Sequence, residues 1–164
     1  MGTLNVTNLN VTGDWSGAPA GTIVQTVTQI HKDQSVGGAS RSYYISSGSY
    51  TYTGASVSIT PKISGSTIVI TAEARLGSSY ASYINHNWQI MDNSGNNLPD
   101  YESGYPLYFY QRYQTGDGTG FLFQQGMHTN VTSAQTYKLY GAQSSGNGIY
   151  IFEPIIMIAQ EITV

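Results

Sequence analysis

The chain has 164 residues, of which 9% are charged, with a net charge of −3, no cysteine, 19 glycines and 14 tyrosines. That length suits one ordinary domain with a sizeable core and is short for two. Its six Lys and Arg are scattered from Lys32 to Lys138, which excludes a phosphate-tracking stripe and nucleic acid as partner, while the lack of thiols excludes disulfide frameworks and thiolate metal sites.

Residues 3–13, TLNVTNLNVTG, state Leu-Asn-Val-Thr twice. Leu4, Val6, Leu9 and Val11 form two apolar pairs that a single extended chain cannot bury, so the segment alone is expected to be disordered. Three copies meeting at an axis would bury the pairs mutually, although two units fall short of the roughly three that a self-supporting repeat needs. Gly13, Asp14 and Trp15 end the repeat before the proline-containing link SGAPAG at 16–21. Residues 1–21 are therefore read as an anchor or minimal shaft, carried by Leu4, Val6, Leu9, Val11 and Trp15, and 22–164 as a head domain. Met1 is followed by polar sequence rather than a basic and then apolar leader, and no run approaches the roughly 18 apolar residues of a membrane span. A soluble protein made in a cytosol is expected, in which Asn-x-Thr at Asn5, Asn10 and Asn130 reflects composition rather than glycosylation.

Helical periodicity is almost absent and alternation dominates. Strands are expected over about Ile23–His31, Tyr50–Thr60, Thr67–Leu76, Tyr83–Met91, Leu107–Gln114, Phe121–His128, Thr136–Tyr140 and Ile149–Val164. In the third, Ile68, Ile70, Ala72, Ala74 and Leu76 point one way and Val69, Thr71, Glu73 and Arg75 the other, as in a half-buried strand. Turn residues separate the strands: SGS at 64–66, DNSGNN at 92–97, TGDGTG at 115–120 and SSGNG at 144–148. About eight short strands with glycine-rich turns indicate an all-β, antiparallel β-sandwich of jelly-roll type, with an up-and-down barrel as the rival.

The final strand differs from the others. Ile155, Ile156, Met157, Ile158 and Ala159 are apolar on both faces, which suits either a central strand under a long loop or a strand with one face in the core and the other in a subunit interface. The second reading makes Ile156 and Ile158 interface residues. Pro154 cannot donate to a ladder, so a bulge or strand start is expected there. His86 shares a face with Ile84, Trp88 and Ile90, where it is either a hydrogen-bonded core residue or a group at a trimer axis.

Tyr101, Tyr105, Tyr108, Phe109, Tyr110 and Tyr113 fall within 13 residues, beside Asp100, Glu102, Arg112 and Asp117. Tyrosine gives rigid, amphipathic contact area, and its ring faces suit the apolar faces of sugars. Tyr108, Tyr110 and Arg112, with Tyr101 and Tyr105, form a candidate glycan surface; packing between subunits is the alternative. A second cluster, Tyr43, Tyr44, Tyr50 and Tyr52, reads as ordinary strand and loop packing. Asp100 and Glu102 lie two apart, which does not provide the separation across a sugar that glycosidase carboxylates need. His31, His86 and His128 stand in no ligand-spaced motif, and nucleophile elbows, phosphate loops and redox motifs are absent. No enzyme, cofactor or metal site is expected.

The segments ASVSITPKISGSTIVITAEARLG (55–77), MDNSGNNL (91–98), TSAQTYKLYGAQ (132–143) and IIMIAQEI (155–162) together resemble the C-terminal domains of tailed-bacteriophage fibre and virion surface proteins, above all those of phages of aquatic bacteria. The resemblance covers roughly residues 22–164. It departs from the family where Met91-Asp92-Asn93-Ser94-Gly95 replaces the usual Arg-Asp-Gly hairpin, and in YESGYPLYFYQRYQTGDG (101–118), which has no counterpart. It implies a homotrimer on the surface of a virion assembled in the host cytoplasm, with other virion proteins as partners, and carries over no functional residue; host-surface glycans enter as partners through the tyrosine-rich segment alone.

Two function classes follow. One is a trimeric short fibre or capsid decoration protein held to the particle by its N-terminal segment, which adds strands to a docking surface or forms a short shaft. The other is a free carbohydrate-binding module or lectin. With only about 20 residues before the sandwich, the first class is expected to sit close to the particle.

Overall fold

A computed structural model describes residues 18–31, 42–45, 49–77, 85–99, 119–145 and 149–164. Eight strands run through them: β1 (Ile23–His31), β2 (Ser42–Ile45), β3 (Thr51–Ile59), β4 (Ser66–Gly77), β5 (Asn85–Met91), β6 (Thr119–Val131), β7 (Gln135–Ser145) and β8 (Ile149–Ile162). They form two antiparallel sheets, and no helix occurs among the described residues. The five-stranded sheet has the order β1-β8-β4-β6, with β2 also paired to β8; the three-stranded sheet has the order β3-β7-β5. From β2 onward each successive described strand lies in the other sheet. Sequential strands therefore do not pair, and the rival up-and-down barrel is ruled out.

Seven of the eight expected strands are present, and the eighth, over 107–114, lies outside the described residues. β2 is an addition that the sequence did not signal. It continues the edge beyond β1, pairing Ser42 to Phe152 and Ile45 to Ile149 where β1 pairs His31 to Ile155 and Ile23 to Ile162. Between these two partners sits Pro154. On its other side β8 leaves register with β4, since Glu73 faces Ile156 and Arg75 faces Phe152. A bulge thus absorbs the residue that cannot donate a ladder hydrogen bond, as the proline implies.

The core follows from strand alternation. Ile68, Ile70, Ala72, Ala74 and Leu76 of β4 and Ile155, Met157 and Ala159 of β8 pack against Ala55, Val57, Trp88, Ile90, Tyr137 and Leu139 of the other sheet. Fully burying one such aliphatic side chain stabilises the fold by about 1.5–3 kcal/mol. β8 is a central strand, with β1 and β2 on one side and β4 on the other.

Glu161 continues the inward parity of β8 and is fully buried. Its carboxylate accepts hydrogen bonds from the backbone N–H groups of Lys62 and Ile63 and from Gln25 Nε2, at 2.6–3.0 Å, and Gln25 Nε2 also donates to Thr60 O. The segments 58–63 (SITPKI) and 159–162 (AQEI) therefore meet in one clamp around the buried carboxylate. Nearby, Gly21 N–H donates to Thr163 O and Thr163 N–H to Thr22 O, so the chain enters the sandwich beside the end of β8.

Candidate functional site

The outer face of the five-stranded sheet is laid out by register. Opposite pairs place Ile30, Ile156, Glu73 and Phe123 in one row across β1, β8, β4 and β6. Thr28, Ile158, Thr71 and Gln125 form the next row, and Arg75 and Phe121 pair on the other flank. Phe121 is 77% exposed, Phe123 51% and Ile30 48%, while Ile156 and Ile158 are half-buried. A cleft of about 440 Å³ opens among Phe121, Phe123, Glu73, Arg75, Pro154 and Ile156. Its size falls within the range of small-molecule pockets, about 300–1,000 Å³. Chemically it offers two phenyl rings, an aliphatic floor and one charge of each sign two residues apart on β4.

The burial of β6 runs against its hydrophobicity. Leu122, Gln124 and Gly126 face inward, and Phe121, Phe123 and Met127 face outward. The inward Gln124 leaves its Oε1 without a hydrogen-bond partner among the described residues, which costs about 1–3 kcal/mol. Slipping the strand by one residue would exchange the two faces, putting both phenylalanines inside. Gly126 explains why this does not happen. A Cβ there would stand 2.9 Å from Leu98 Cβ, so only glycine lets the 92–99 turn close over β6, where Leu98 N–H donates to Ile90 O and Met127 N–H to Pro99 O. The phenylalanines are outside because the glycine must be inside.

The outer face of the three-stranded sheet has different chemistry. Tyr140 of β7 lies between Tyr52 of β3 and Gln89 of β5, and Lys138 lies between Ser56 and Met91. The Tyr52 and Tyr140 rings are 5.5 Å apart at 43°, and Lys138 Nζ is 5.8 Å from the centre of the Tyr52 ring. Behind Tyr52, β3 bulges, with residues 53–55 opposite Leu139 alone. Gly54 takes φ of 84° there, and Thr53 Oγ1 donates to Leu139 O.

Several titratable groups have structural partners. His31 Nε2 lies 2.7 Å from Ser56 O and 3.0 Å from Ser56 N. His128 Nδ1 is 3.1 Å from Tyr137 Oη; burial, aided by the Asp92 charge, pushes the Tyr137 hydroxyl far above its ordinary value. Burial pushes the Asp92 carboxyl up, but hydrogen bonds from Asn96 and Ser94 and the nearby His128 outweigh it and hold the group below its ordinary value. Among the described residues no three His, Asp or Glu side chains gather as a metal site.

The structure brings together only part of the expected site set. Ile156 and Ile158 lie side by side on the outer face of β8. His86 stands opposite Gln143 on β5, and its side chain lies outside the described residues. Tyr101, Tyr105, Tyr108, Tyr110 and Arg112, and Leu4, Val6, Leu9, Val11 and Trp15, also lie outside them. The sequence reading missed Phe121 and Phe123 as surface groups and missed the pairing of Tyr52 with Tyr140. The apolar residues on both faces of β6 were the available signal for the first; the second joins residues far apart in the chain and left none.

No protein-family model and no curated protein matches the sequence. Among solved structures, the sugar-binding C-terminal domain of EclA is 15% identical with a TM-score of 0.40, over 76% of this chain and 83% of that one. The CBM22-1 xylan-binding domain of Paenibacillus barcinonensis Xyn10C is 12% identical with a TM-score of 0.36, over 90% and 99%. The VP2 subviral particle of infectious bursal disease virus is 12% identical with a TM-score of 0.42, over 85% of this chain and 37% of that one. Likenesses at this level assign no function.

Proposed function

We propose that the chain is a non-enzymatic virion surface protein, a homotrimeric short fibre or capsid decoration protein of a bacteriophage, attached by its N-terminal segment and displaying a jelly-roll sandwich. The observation that carries this reading is the outer face of the five-stranded sheet. There Phe121, Phe123 and Ile30 are exposed around half-buried Ile156 and Ile158, while inward-facing Gln124 has an Oε1 without a partner among the described residues. Exposed apolar patches of this kind mark interaction surfaces. Glu73 and Arg75, adjacent on that face, place both signs of charge beside the apolar patch. The strand order supports the jelly roll, because the last strand lies between the first and the fourth and successive strands alternate between sheets. The described His31, His128, Asp92 and Glu161 all bond to backbone or to neighbouring side chains, which suits a display scaffold more than a catalyst.

The test is mass in solution and attachment to particles. The wild-type chain should sediment as a trimer, and Phe123→Glu and Ile156→Glu should shift it toward monomer with an unchanged far-UV spectrum. Deleting residues 1–21 should abolish attachment to particles and leave the sandwich folded. A wild-type monomer at high concentration would overturn assembly through this face, and particle attachment by the deleted chain would overturn anchoring.

A further inference from the structure

We infer that the outer face of the three-stranded sheet is a binding platform for an acidic saccharide, with Tyr52 and Tyr140 stacking on sugar rings and Lys138 pairing with a sugar carboxylate. This goes beyond the assembly reading and does not rest on it, because the platform lies on the opposite side of the sandwich from the phenylalanine cleft.

Four observations point to it. First, the two faces differ in kind. The five-stranded sheet presents phenylalanine and isoleucine, whereas the described outward rows here present half-buried Tyr52, Tyr140, Lys138, Ser56, Met91 and Thr136 and exposed Ser58, with Gln89 buried at the end of the tyrosine row. Tyrosine rings set among short hydroxyl side chains match a ligand that has apolar ring faces and polar rims. Second, the rings sit side by side at 5.5 Å and are tilted by 43°, a spacing close to the rise of one sugar residue in an extended glycan. Two consecutive sugars can each take one ring, and the tilt follows a twisting chain.

Third, Lys138 lies beside the aromatic pair, its Nζ 5.8 Å from the Tyr52 ring centre, and no carboxylate stands in these rows among the described residues. In a chain with six Lys and Arg, a cation at an aromatic platform selects for an anionic ligand. A carboxylate arriving over Tyr52 meets the ammonium while its ring stacks. Fourth, the backbone is shaped at this place. β3 bulges immediately after Tyr52, with Gly54 at positive φ and Thr53 Oγ1 bonded to Leu139 O, and bulges on edge strands re-aim side chains near binding sites.

An ordinary cross-strand tyrosine pair would account for the ring contact alone, so the test must separate binding from packing. The probes are oligogalacturonate and sialyllactose, which distinguish a uronate from a sialate source of the carboxylate, with xylohexaose as the neutral control, titrated calorimetrically into the full-length chain. The expected result is binding of at least one acidic probe, weakened about tenfold or more by Tyr140→Ala and by Tyr52→Ala and kept by Tyr140→Phe, which preserves the ring. Lys138→Gln should remove the preference for the acidic probe over xylohexaose. Tyr140→Phe and Lys138→Gln keep the test decisive if the alanine variants fold poorly. Wild-type protein that binds neither acidic probe overturns the inference, as does unweakened binding by folded Tyr140→Ala or an acidic preference that survives Lys138→Gln. Sedimentation of the same samples should show an unchanged mass; loss of sugar binding with assembly intact, or the reverse, tells the failure of one proposal from that of the other.

Discussion

Replacing Glu161 with glutamine should destabilise the fold by about 2 kcal/mol. The carboxylate is fully buried and accepts from three donors: Lys62 N–H at 3.0 and 2.9 Å, Ile63 N–H at 2.8 Å and Gln25 Nε2 at 2.6 Å. A hydrogen bond to a charged group contributes about 1.5–3 kcal/mol, a neutral one about 0.5–1.5. In Glu161→Gln the remaining carbonyl oxygen serves Lys62 and Ile63, and the new NH₂ faces Gln25. That side chain must flip its amide and give up its bond to Thr60 O. Weakening two bonds from charged to neutral strength and losing one more comes to about 3 kcal/mol. The smaller burial penalty of an uncharged side chain returns part of it, leaving about 2. Glu161→Ala should cost about 4 kcal/mol, since it removes the acceptor of two part-buried N–H groups at about 1–3 kcal/mol each and opens a cavity.

Urea denaturation at one fixed protein concentration measures both values; the fixed concentration removes any contribution that the proposed assembly would make to apparent stability. Amide exchange at Lys62 and Ile63 should quicken in both variants. Buried charges can be replaced without loss where their desolvation penalty cancels their bonds. A Glu161→Gln protein as stable as wild type, with unchanged exchange at Lys62 and Ile63, would refute the clamp as a net stabiliser.

Asp92 has its carboxyl held below the ordinary value in the fold, so its contribution is present above the unfolded-state value and is lost as pH falls through the folded one. Asp92→Ala should therefore be less stable than wild type by about 1 kcal/mol at neutral pH, and the gap should narrow on acidification below about pH 4; parallel urea titrations from pH 7 to 3 check this. Gly126→Ala pushes a methyl group against Leu98 Cβ at 2.9 Å and should lower stability by about 1–3 kcal/mol, read as a drop in Tm. Gly54→Ala forces a side chain to φ of 84° and should cost about 1–2 kcal/mol in a urea melt.

Strand alternation carried most of the fold. The residues of β4 expected to face inward are all buried, although Val69, expected on the outer face, is buried as well; β1 has the expected bounds, and the doubly apolar Ile155–Ala159 lies in a strand with neighbours on both sides. Alternation failed in β6, where both faces carry apolar residues and a close approach of Leu98 to Gly126, invisible in local sequence, sets which face is core. β2 was missed because its four residues acquire strand identity from β8, which extends past β1 and leaves an edge to fill. The Glu161 clamp joins residues about a hundred positions apart. A single charged residue at an inward parity flags a buried acid, but nothing local says that the amides of Lys62 and Ile63 await it. The tyrosine-rich segment is visible because its aromatic residues fall within 13 positions; Tyr52 stands in a local cluster of its own, and its pairing with Tyr140 through β3 and β7 has no local signal.

The two outer faces make different demands on assembly. Residues 19–22 bond beside Thr163, at one end of β8, whereas Pro154, Arg75 and Phe121 lie toward its other end. On the proposed attachment, the segment that holds the protein to a particle leaves from one end of the five-stranded sheet and the phenylalanine cleft occupies the far part of the same face. Copies that pack through that face bury the cleft and turn their three-stranded sheets outward. The apolar face is then removed from water, while the Tyr52–Tyr140 row, the face with hydroxyl edges and a lysine, stays in it. Exchanging the roles would bury Lys138 and leave Phe121 and Phe123 in solvent, a worse arrangement on both counts, since an ammonium loses hydration on burial and exposed phenyl rings invite nonspecific association. The proposed division of labour between the faces thus follows from their side chains.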